Sequence, residues 1–527
     1  MAESFPIPAG IEASPSVLVM FESFGPNYVW FALITSILGS FSTLLTGTII
    51  NVAIPEIMGA FGIGQDKAQW LSTAFLAAGT VTMLLTSWCI QALGMRATYV
   101  GAMSIFLAGS VLGGLAPNPE VLILSRIITG AAAGIMGPIA MVLNFQIFPV
   151  NKRGFAMGIF GIGVVLGPAL GPALGGYLID HFNWRYVFFL AIPFSIISIP
   201  LALVFMPQRE KSEKPEPLDW LGFTLASIFL VTILTALSDG VREGWYSSYT
   251  VSLFGISFIS AVAFIWWETI TSKPLLDLRI FTYGRFLASA IVTFIVGIGL
   301  YGSTYLVPLF LQNMQGIMPT NSGLLMLPAG IAMALCFPLA GALSDRIQPA
   351  IVIFVGLLIF GISSWFMRNI DIDTAYRSIL LWALLGRVGL ALIFPSLNAA
   401  SMSSLPLSMI SQGSGAVNFL RQLGGAFGVN FLSIHLTQSS YTHAHNLTLA
   451  ASPLTLEALT QLQDKIFSNH LGYILQFPGS FGFLSSAIYT EALTMAYREG
   501  FILLALVFFA ALIPTCFMRM ERNQSPF

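Results

Sequence analysis

The stretch "GIFGIGVVLGPALGPALGGYLID", residues 158–180, places glycines and prolines inside an otherwise apolar run. Inside a helix, glycine costs about 1 kcal/mol and proline about 3 kcal/mol relative to alanine. Residues four apart in the sequence lie on nearly the same side of an α-helix. Four glycines recur at this spacing: Gly163, Gly167, Gly171 and Gly175. Because small residues let helices approach closely in a bilayer, the stretch predicts a tightly packed membrane helix.

The composition supports a membrane protein. Of 527 residues, 56% are hydrophobic and 9% are charged, whereas soluble proteins contain roughly 25% charged residues. Many apolar runs reach the ~20 residues that a helix needs to cross ~30 Å of hydrocarbon. Such runs do not alternate as barrel strands do. We therefore expect an all-α integral membrane protein and exclude a water-soluble globular domain.

Hydropathy predicts about fourteen transmembrane spans. Their approximate limits are 28–52, 68–91, 97–116, 120–143, 155–178, 186–206, 219–238, 248–268, 286–312, 321–343, 349–367, 377–402, 412–436 and 497–519. An even number places both termini on one side of the membrane. With cytoplasmic termini, about twelve Lys and Arg residues lie inside and seven outside, which the positive-inside rule favours.

An internal repeat divides the predicted spans. The fourth span contains "SRIITGAAAGIMGP" (125–138), and the twelfth contains "GRVGLALIFP" (386–395). Transporters are commonly built from such repeats. The expected organisation is a cytoplasmic tail (1–27), a six-helix bundle (28–206), a linker with two inserted helices (207–285), a second six-helix bundle (286–519) and a C-terminal tail (520–527). Residues 1–27 contain no Lys or Arg, so no cleaved signal peptide is expected.

A long polar segment, 437–496, is expected to form an external loop within the second bundle. Inside it, residues 452–467 begin with Ser-Pro and place leucines on one helical face, which predicts a short amphipathic helix. This helix is either a minor feature of the loop or a docking surface for a partner protein.

The glycine stretch also fits a longer pattern, G-x8-G-x3-G-P-x2-G-G. Its fixed positions are Gly158, Gly167, Gly171, Pro172, Gly175 and Gly176. The pattern resembles the fifth-helix antiporter motif of drug exporters in the major facilitator superfamily. "TGTIINVAIP" (46–55), "LSRIITGAAAGIMGP" (124–138) and "SGAVNFLRQLGGAFG" (414–428) are similar to other landmarks of its fourteen-helix EmrB/QacA-type drug:proton antiporters. The resemblance implies the major facilitator fold and a close interface between its two halves.

Two charged motifs depart from that family. Leu45-Thr46 stands where the family has Leu-Asp, so its presumed proton or cation site is absent. The first gating loop, "SWCIQALGMR" (87–96), keeps only Gly94 and Arg96 of the expected pattern. The second copy keeps Gly341, Asp345 and Arg346.

Charges inside the spans are the main coupling candidates, because intramembrane charges are costly and commonly mark pathways. Away from the span limits, the three arginines there are Arg126, Arg387 and Arg421. Arg126 matches a motif that the resemblance links to proton exchange. Each arginine is alternatively a structural hydrogen-bonding centre. Glu56 and His435, at span ends, are further candidates or merely rim residues.

Polar residues near mid-depth are candidates for a substrate cavity. They are Thr46, Asn51, Asn144, Gln146, Asn398, Asn418 and Gln422. Each one is alternatively a helix–helix hydrogen bond. Cys89, Cys336 and Cys516 form no disulfide or metal pattern, and His443 with His445 is a weak metal pattern, so no metal or cofactor is expected.

We therefore expect an inner-membrane secondary transporter that exports amphipathic small molecules by alternating access. The resemblance implies proton influx as the energy source, and it implies a periplasmic adaptor and an outer-membrane channel as possible partners. The alternatives are a facilitator, a non-proton-coupled exporter of one metabolite or siderophore, and a transport-inactive receptor. No nucleophile–base pair or nucleotide loop is present in the sequence, so neither an enzyme nor a nucleic-acid partner is expected.

Overall fold

The computed structural model describes residues 15–208, 217–450 and 478–518. All regular structure in these ranges is helical. In the first half of the chain the helices are α1 (Pro15–Phe24), α2 (Tyr28–Phe61), α3 (Gln65–Leu93), α4 (Met95–Gly114), α5 (Pro119–Ile147), α6 (Arg153–His181), α7 (Tyr186–Phe189) and α8 (Ala191–Phe205). Because α7 and α8 together form one span, this half contains six long segments.

Two inserted helices follow, α9 (Trp220–Glu243) and α10 (Ser248–Ile270). The second half contains α11 (Gly284–Asn313), α12 (Pro319–Arg346), α13 (Pro349–Phe366), α14 (Tyr376–Ser403), α15 (Ile410–Ala450), α16 (Pro478–Ala510) and the short α17 (Leu512–Cys516).

Each of the fourteen predicted spans coincides with a helix. Within the described residues, twelve helical segments are long and apolar enough to cross a membrane. The two remaining long helices are α6 and α15. Some side chains of α6 lie outside the described residues, whereas α15 is rich in glycine and has a polar C-terminal half that lowers its hydropathy.

Two of the expected segments, the loop 437–496 and the tail 1–27, differ from the structure. The predicted loop 437–496 is helical over 437–450 and 478–496, because α15 and α16 continue as polar helices past the apolar segment. Residues 15–24 of the expected tail form α1, whose Val17 and Phe21 are fully buried. The predicted amphipathic helix 452–467 lies outside the described residues.

The helices pack as two groups. In the first half, α2 contacts α5, α6 and α8, and α5 contacts α3 and α4. In the second half, α15 contacts α11 and α16, and α14 contacts α12 and α13. The main contacts between the groups are α6 with α12 and α3 with α15. The inserted pair α9–α10 attaches through α9 to α3 and α15.

The hydrophobic core is joined at one end of the bundle and divided at the other. At the end where α2 begins, which we call the shared end, one cluster includes Leu84 and Met141 of the first half with Met402 and Val417 of the second. At the opposite, divided end, the core around Ile49 and Trp184 belongs wholly to the first half. The core around Phe310 and Tyr497 belongs wholly to the second half.

Candidate functional site

The glycine motif of α6 contacts two different helices. At the shared end, a Cβ atom on Gly158 would overlap the carbonyl oxygen of Phe337 in α12. Farther along, a Cβ atom on Gly167 would lie 3.1 Å from the backbone nitrogen of Leu45 in α2. Cβ atoms on Gly171 and Gly175 would press on Thr48 and Ile49 of the same helix.

The glycine motif therefore serves two interfaces. Gly158 lies between the halves, as the motif predicts, whereas Gly167, Gly171 and Gly175 pack α6 within its own half. Gly176 faces open space, with no atom within 4 Å of a Cβ placed there. Pro172 lies within α6, but its side chain is outside the described part of the structure.

Asp345 connects the two halves at the shared end. Its carboxylate oxygens accept hydrogen bonds from the backbone N–H groups of Gly154 at 2.7 Å and Phe155 at 2.9 Å. These N–H groups belong to the first turn of α6, where the helix leaves donors unpaired and its dipole favours negative charge. The neighbouring Arg346 is exposed.

In the first half, the described hydrogen bonds of the corresponding loop do not involve a carboxylate. Gln91 donates to the hydroxyl of Ser87 within α3 at 3.3 Å. Arg96 donates from Nε to the carbonyl of Met206 at 2.7 Å. The sequence repeat predicts one carboxylate contact from each gating loop. Because the first gating loop lacks the acidic residue, only Asp345 of the second loop provides such a contact.

Arg126 is fully buried and joins three helices of the first half. Its Nε donates to the carbonyl of Leu71 at 2.8 Å, and its Nη1 donates to the carbonyl of Thr46 at 3.3 Å. The guanidinium lies 4.1 Å from the centroid of the Phe75 ring. Nη2 is buried without a hydrogen-bond partner.

Arg387 and Arg421 lie in the second half. Arg387 donates from Nη2 to the hydroxyl of Thr304 at 2.8 Å. Arg421 donates from Nη1 to Asn398 Oδ1 at 3.4 Å and from Nη2 to Asn418 Oδ1. The structure therefore groups Arg421 with two of the predicted cavity residues, on α14 and α15.

The remaining cavity candidates are dispersed. Gln422 accepts from the hydroxyl of Tyr301 at 3.0 Å, close to Arg421 in the chain. Asn144 is buried and accepts from Ser36 at 3.2 Å, whereas Asn51 accepts from Ser72 at 2.8 Å near the divided end. The hydroxyl of Thr46 donates to the Ser42 carbonyl at 2.9 Å. Gln146 is half-buried near the end of α5.

His435 lies in a cluster whose carboxylate the sequence analysis missed. Its Nε2 is 3.3 Å from Oε2 of Glu499, and Nε2 of His443 is 2.8 Å from Oε1. Ser439 also donates to Glu499. A four-residue spacing relates His435, Ser439 and His443, which is typical of one helical face. The sequence analysis did not use this signal because the predicted span ended at residue 436, whereas α15 continues to Ala450. Glu56, by contrast, is exposed near the end of α2.

Comparisons with known proteins agree with this architecture. The family model described as Major Facilitator Superfamily matches residues 36–429. The chain is 30% identical to the uncharacterized MFS-type transporter YhcA of Bacillus subtilis (strain 168), over 93% of each chain. It is 27% identical to the colistin resistance protein EmrB of Acinetobacter baumannii, over 94% of this chain and 97% of that one.

A solved structure shares the fold. The human organic anion transporter MFSD10 (TETRAN) superposes with a TM-score of 0.61 at 14% identity, over 93% of this chain and 99% of that one. At this identity the likeness shows the fold alone. On its helical architecture, its family match and its relatives, the chain belongs to the Major Facilitator Superfamily.

Proposed function

We propose that the chain exports amphipathic small molecules across a bacterial inner membrane by alternating access. In this proposal the bundles 28–206 and 286–519 rock about a central site. Relatives named as resistance and multidrug export proteins support export: the colistin resistance EmrB of Acinetobacter baumannii and the multidrug export protein EmrB of Haemophilus influenzae. They align with 94% and 79% of this chain.

One observation carries the mechanism: the two halves share a core at one end and keep separate cores at the other. That asymmetry is expected of one of the two end states of alternating access. The positive-inside rule places the shared end, with both termini, in the cytoplasm. The structure then corresponds to the state that opens outward.

We propose proton influx as the energy source. His435 and His443 contact the carboxylate of Glu499, and these three side chains form the candidate proton-binding group. A facilitator is the second candidate function. It is favoured by Thr46, whose side chain is not ionisable, and by the carbonyl and amide partners of the buried arginines in the described residues.

Transport in proteoliposomes tests the proposal. Purified protein is assayed with an imposed pH gradient and a panel of lipophilic cations and acids. We expect flux that follows the gradient, and in Glu499→Gln we expect gradient-driven flux to fall at least tenfold. Glu120→Gln is the matched control, because Glu120 is an exposed carboxylate paired with Lys67 near the same end.

Each other outcome has a definite meaning. A flux rate that does not change with the imposed pH gradient identifies a facilitator. Substrate binding without flux identifies a transport-inactive receptor, and the proposed function is then wrong.

We further propose that the external segment docks a periplasmic adaptor that leads to an outer-membrane channel. Helix α15 has 41 residues, about 60 Å at 1.5 Å per residue, which exceeds a ~30 Å bilayer. Deletion of 452–467 is expected to abolish export from cells that contain the adaptor while substrate binding to the purified protein persists. Undiminished export by such cells would contradict the docking role.

A further inference from the structure

Arg126, Arg387 and Arg421 share one property: within the described residues, none of the three has a carboxylate partner. Backbone carbonyls bind Arg126, a hydroxyl binds Arg387 and side-chain amides bind Arg421. The ion pairs seen in the described chain involve other residues, such as Lys67 with Glu120 and Arg498 of α16 with Asp371. A guanidinium remains charged in proteins, so the bundle interior carries uncompensated positive charge.

Arg421 is the arginine best placed to meet a substrate. It lies eleven residues after the start of α15 at Ile410, about 16 Å along the helix, near the middle of a ~30 Å bilayer. It is half-buried, whereas Arg126 is fully enclosed. Arg421 is therefore the less enclosed of the two side chains.

Arg421 is also connected to the first half of the molecule through a single side chain, that of Asn418. Its partner Asn418 donates to the sulfur of Met141 on α5 at 3.6 Å. A Cβ atom on Gly137 of α5 would lie 3.5 Å from Oδ1 of Asn418. A group bound to Arg421 would thus lie where the two halves meet, the position at which binding can bias their relative movement.

The surroundings of Arg421 suit an anion attached to an apolar body. The guanidinium lies 5.2 Å from the centroid of the Phe394 ring, and the centroid of that ring lies 5.9 Å from that of Phe337 of α12, with the two rings tilted by 45°. Amide oxygens stabilise a guanidinium only as dipoles, whereas a carboxylate, sulfonate or phosphate adds a full opposite charge and accepts two parallel N–H bonds. In a site of low dielectric this difference is large.

We infer that the exported substrates are amphipathic anions and that Arg421 binds their negative group. The inference rests on the proposed function, since it names the substrate class of that transporter. Arg387, at the same distance from the start of α14 and bound to Thr304, adds a second positive charge to the same half. Lipophilic cations, to which the neutral side chain of Thr46 offers no carboxylate, are disfavoured.

The test uses three probes that share a naphthalene ring: the permanently anionic 1-naphthalenesulfonate, the neutral 1-naphthalenesulfonamide and the permanently cationic trimethyl(1-naphthylmethyl)ammonium. Binding of each labelled probe to purified full-length protein is measured by equilibrium dialysis, and flux is measured in proteoliposomes. We expect the sulfonate to bind at least tenfold more tightly than the ammonium probe. Arg421→Gln should remove this preference, and Arg421→Lys should retain part of it.

The controls separate charge recognition from misfolding. Arg279→Gln removes an arginine whose side chain is 83% exposed, and it should leave all three affinities unchanged. Each variant is compared with the wild type by size-exclusion chromatography and melting temperature. Since the sulfonamide carries no charge, its unchanged binding to Arg421→Gln shows that the apolar part of the site is intact.

Two results would overturn the inference: equal or tighter binding of the ammonium probe, or an unchanged sulfonate preference in a folded Arg421→Gln variant. If the ammonium probe is transported and the sulfonate is not, export stands and the anionic substrate class is wrong. If neither these probes nor the wider panel moves across the membrane, the proposed function itself fails.

Discussion

A single methyl group distinguishes glycine from alanine, and the two ends of the α6 motif differ in their room for it. At Gly158 a Cβ atom would meet the backbone of α12, which cannot rotate away as a side chain can. At Gly176 it would meet nothing within 4 Å. Close backbone packing therefore explains the glycine at position 158 but not the glycine at position 176.

We therefore expect opposite effects from the same substitution. Gly158→Ala should destabilise the protein by about 1–3 kcal/mol, the usual cost of overpacking, and should slow transport. Gly176→Ala should leave transport intact and change stability by no more than about 1 kcal/mol, because alanine favours the helix. Thermal unfolding in detergent and flux in proteoliposomes check both variants, and equal behaviour of the two would contradict the assigned contacts.

At the scale of helices, hydropathy predicted where each span lies but not where each helix ends. Lipid selects apolar side chains over ~30 Å, whereas helical hydrogen bonding continues wherever the backbone permits it. For this reason α2 continues through Pro55 to Phe61, and α15 and α16 extend into the predicted loop. The bond from Arg498 Nε to the Ile370 carbonyl, at 2.8 Å, places this part of α16 beside the loop between α13 and α14.

Contacts between helices were less predictable than the helices themselves. The repeated glycines indicated a packed face of α6. Their four-residue spacing does not predict which helix each glycine contacts, α12 for Gly158 and α2 for Gly171. Asp345 was identified as a motif residue, but its hydrogen bonds to Gly154 and Phe155 could not be predicted. These bonds join residues that are 191 and 190 positions apart in the sequence. Glu499 was missed because its partners lie on a helix that hydropathy ended too early.

At the scale of the whole molecule, the contact between the halves at the shared end is uneven. One side has Asp345 on the first turn of α6, and the other has Gly415 packed against the Met83 carbonyl, where a Cβ would lie 2.9 Å from the oxygen. A carboxylate that binds a helix N-terminus favours the state in which both are together. Asp345 should therefore stabilise the observed state relative to the state that opens at the shared end.

Distances between spin labels test this expectation in a background with Cys89, Cys336 and Cys516 replaced by serine. Val150→Cys with Leu407→Cys reports on the shared end, and Phe182→Cys with Ile372→Cys reports on the divided end. These label sites are 44–59% exposed. If the halves rock, transported substrate should lengthen the first distance and shorten the second.

Asp345→Ala should favour the lengthened shared-end distance without substrate. A contact of the strength of an N-cap, about 1 kcal/mol, changes the ratio of the two states about fivefold. Asp180→Ala, which removes an exposed carboxylate from the far end of α6, should leave the distribution unchanged. If both distances lengthen together, the halves separate rather than rock. If Asp345→Ala matches the wild type, the energy that holds the shared end closed resides in its apolar core and glycine contacts.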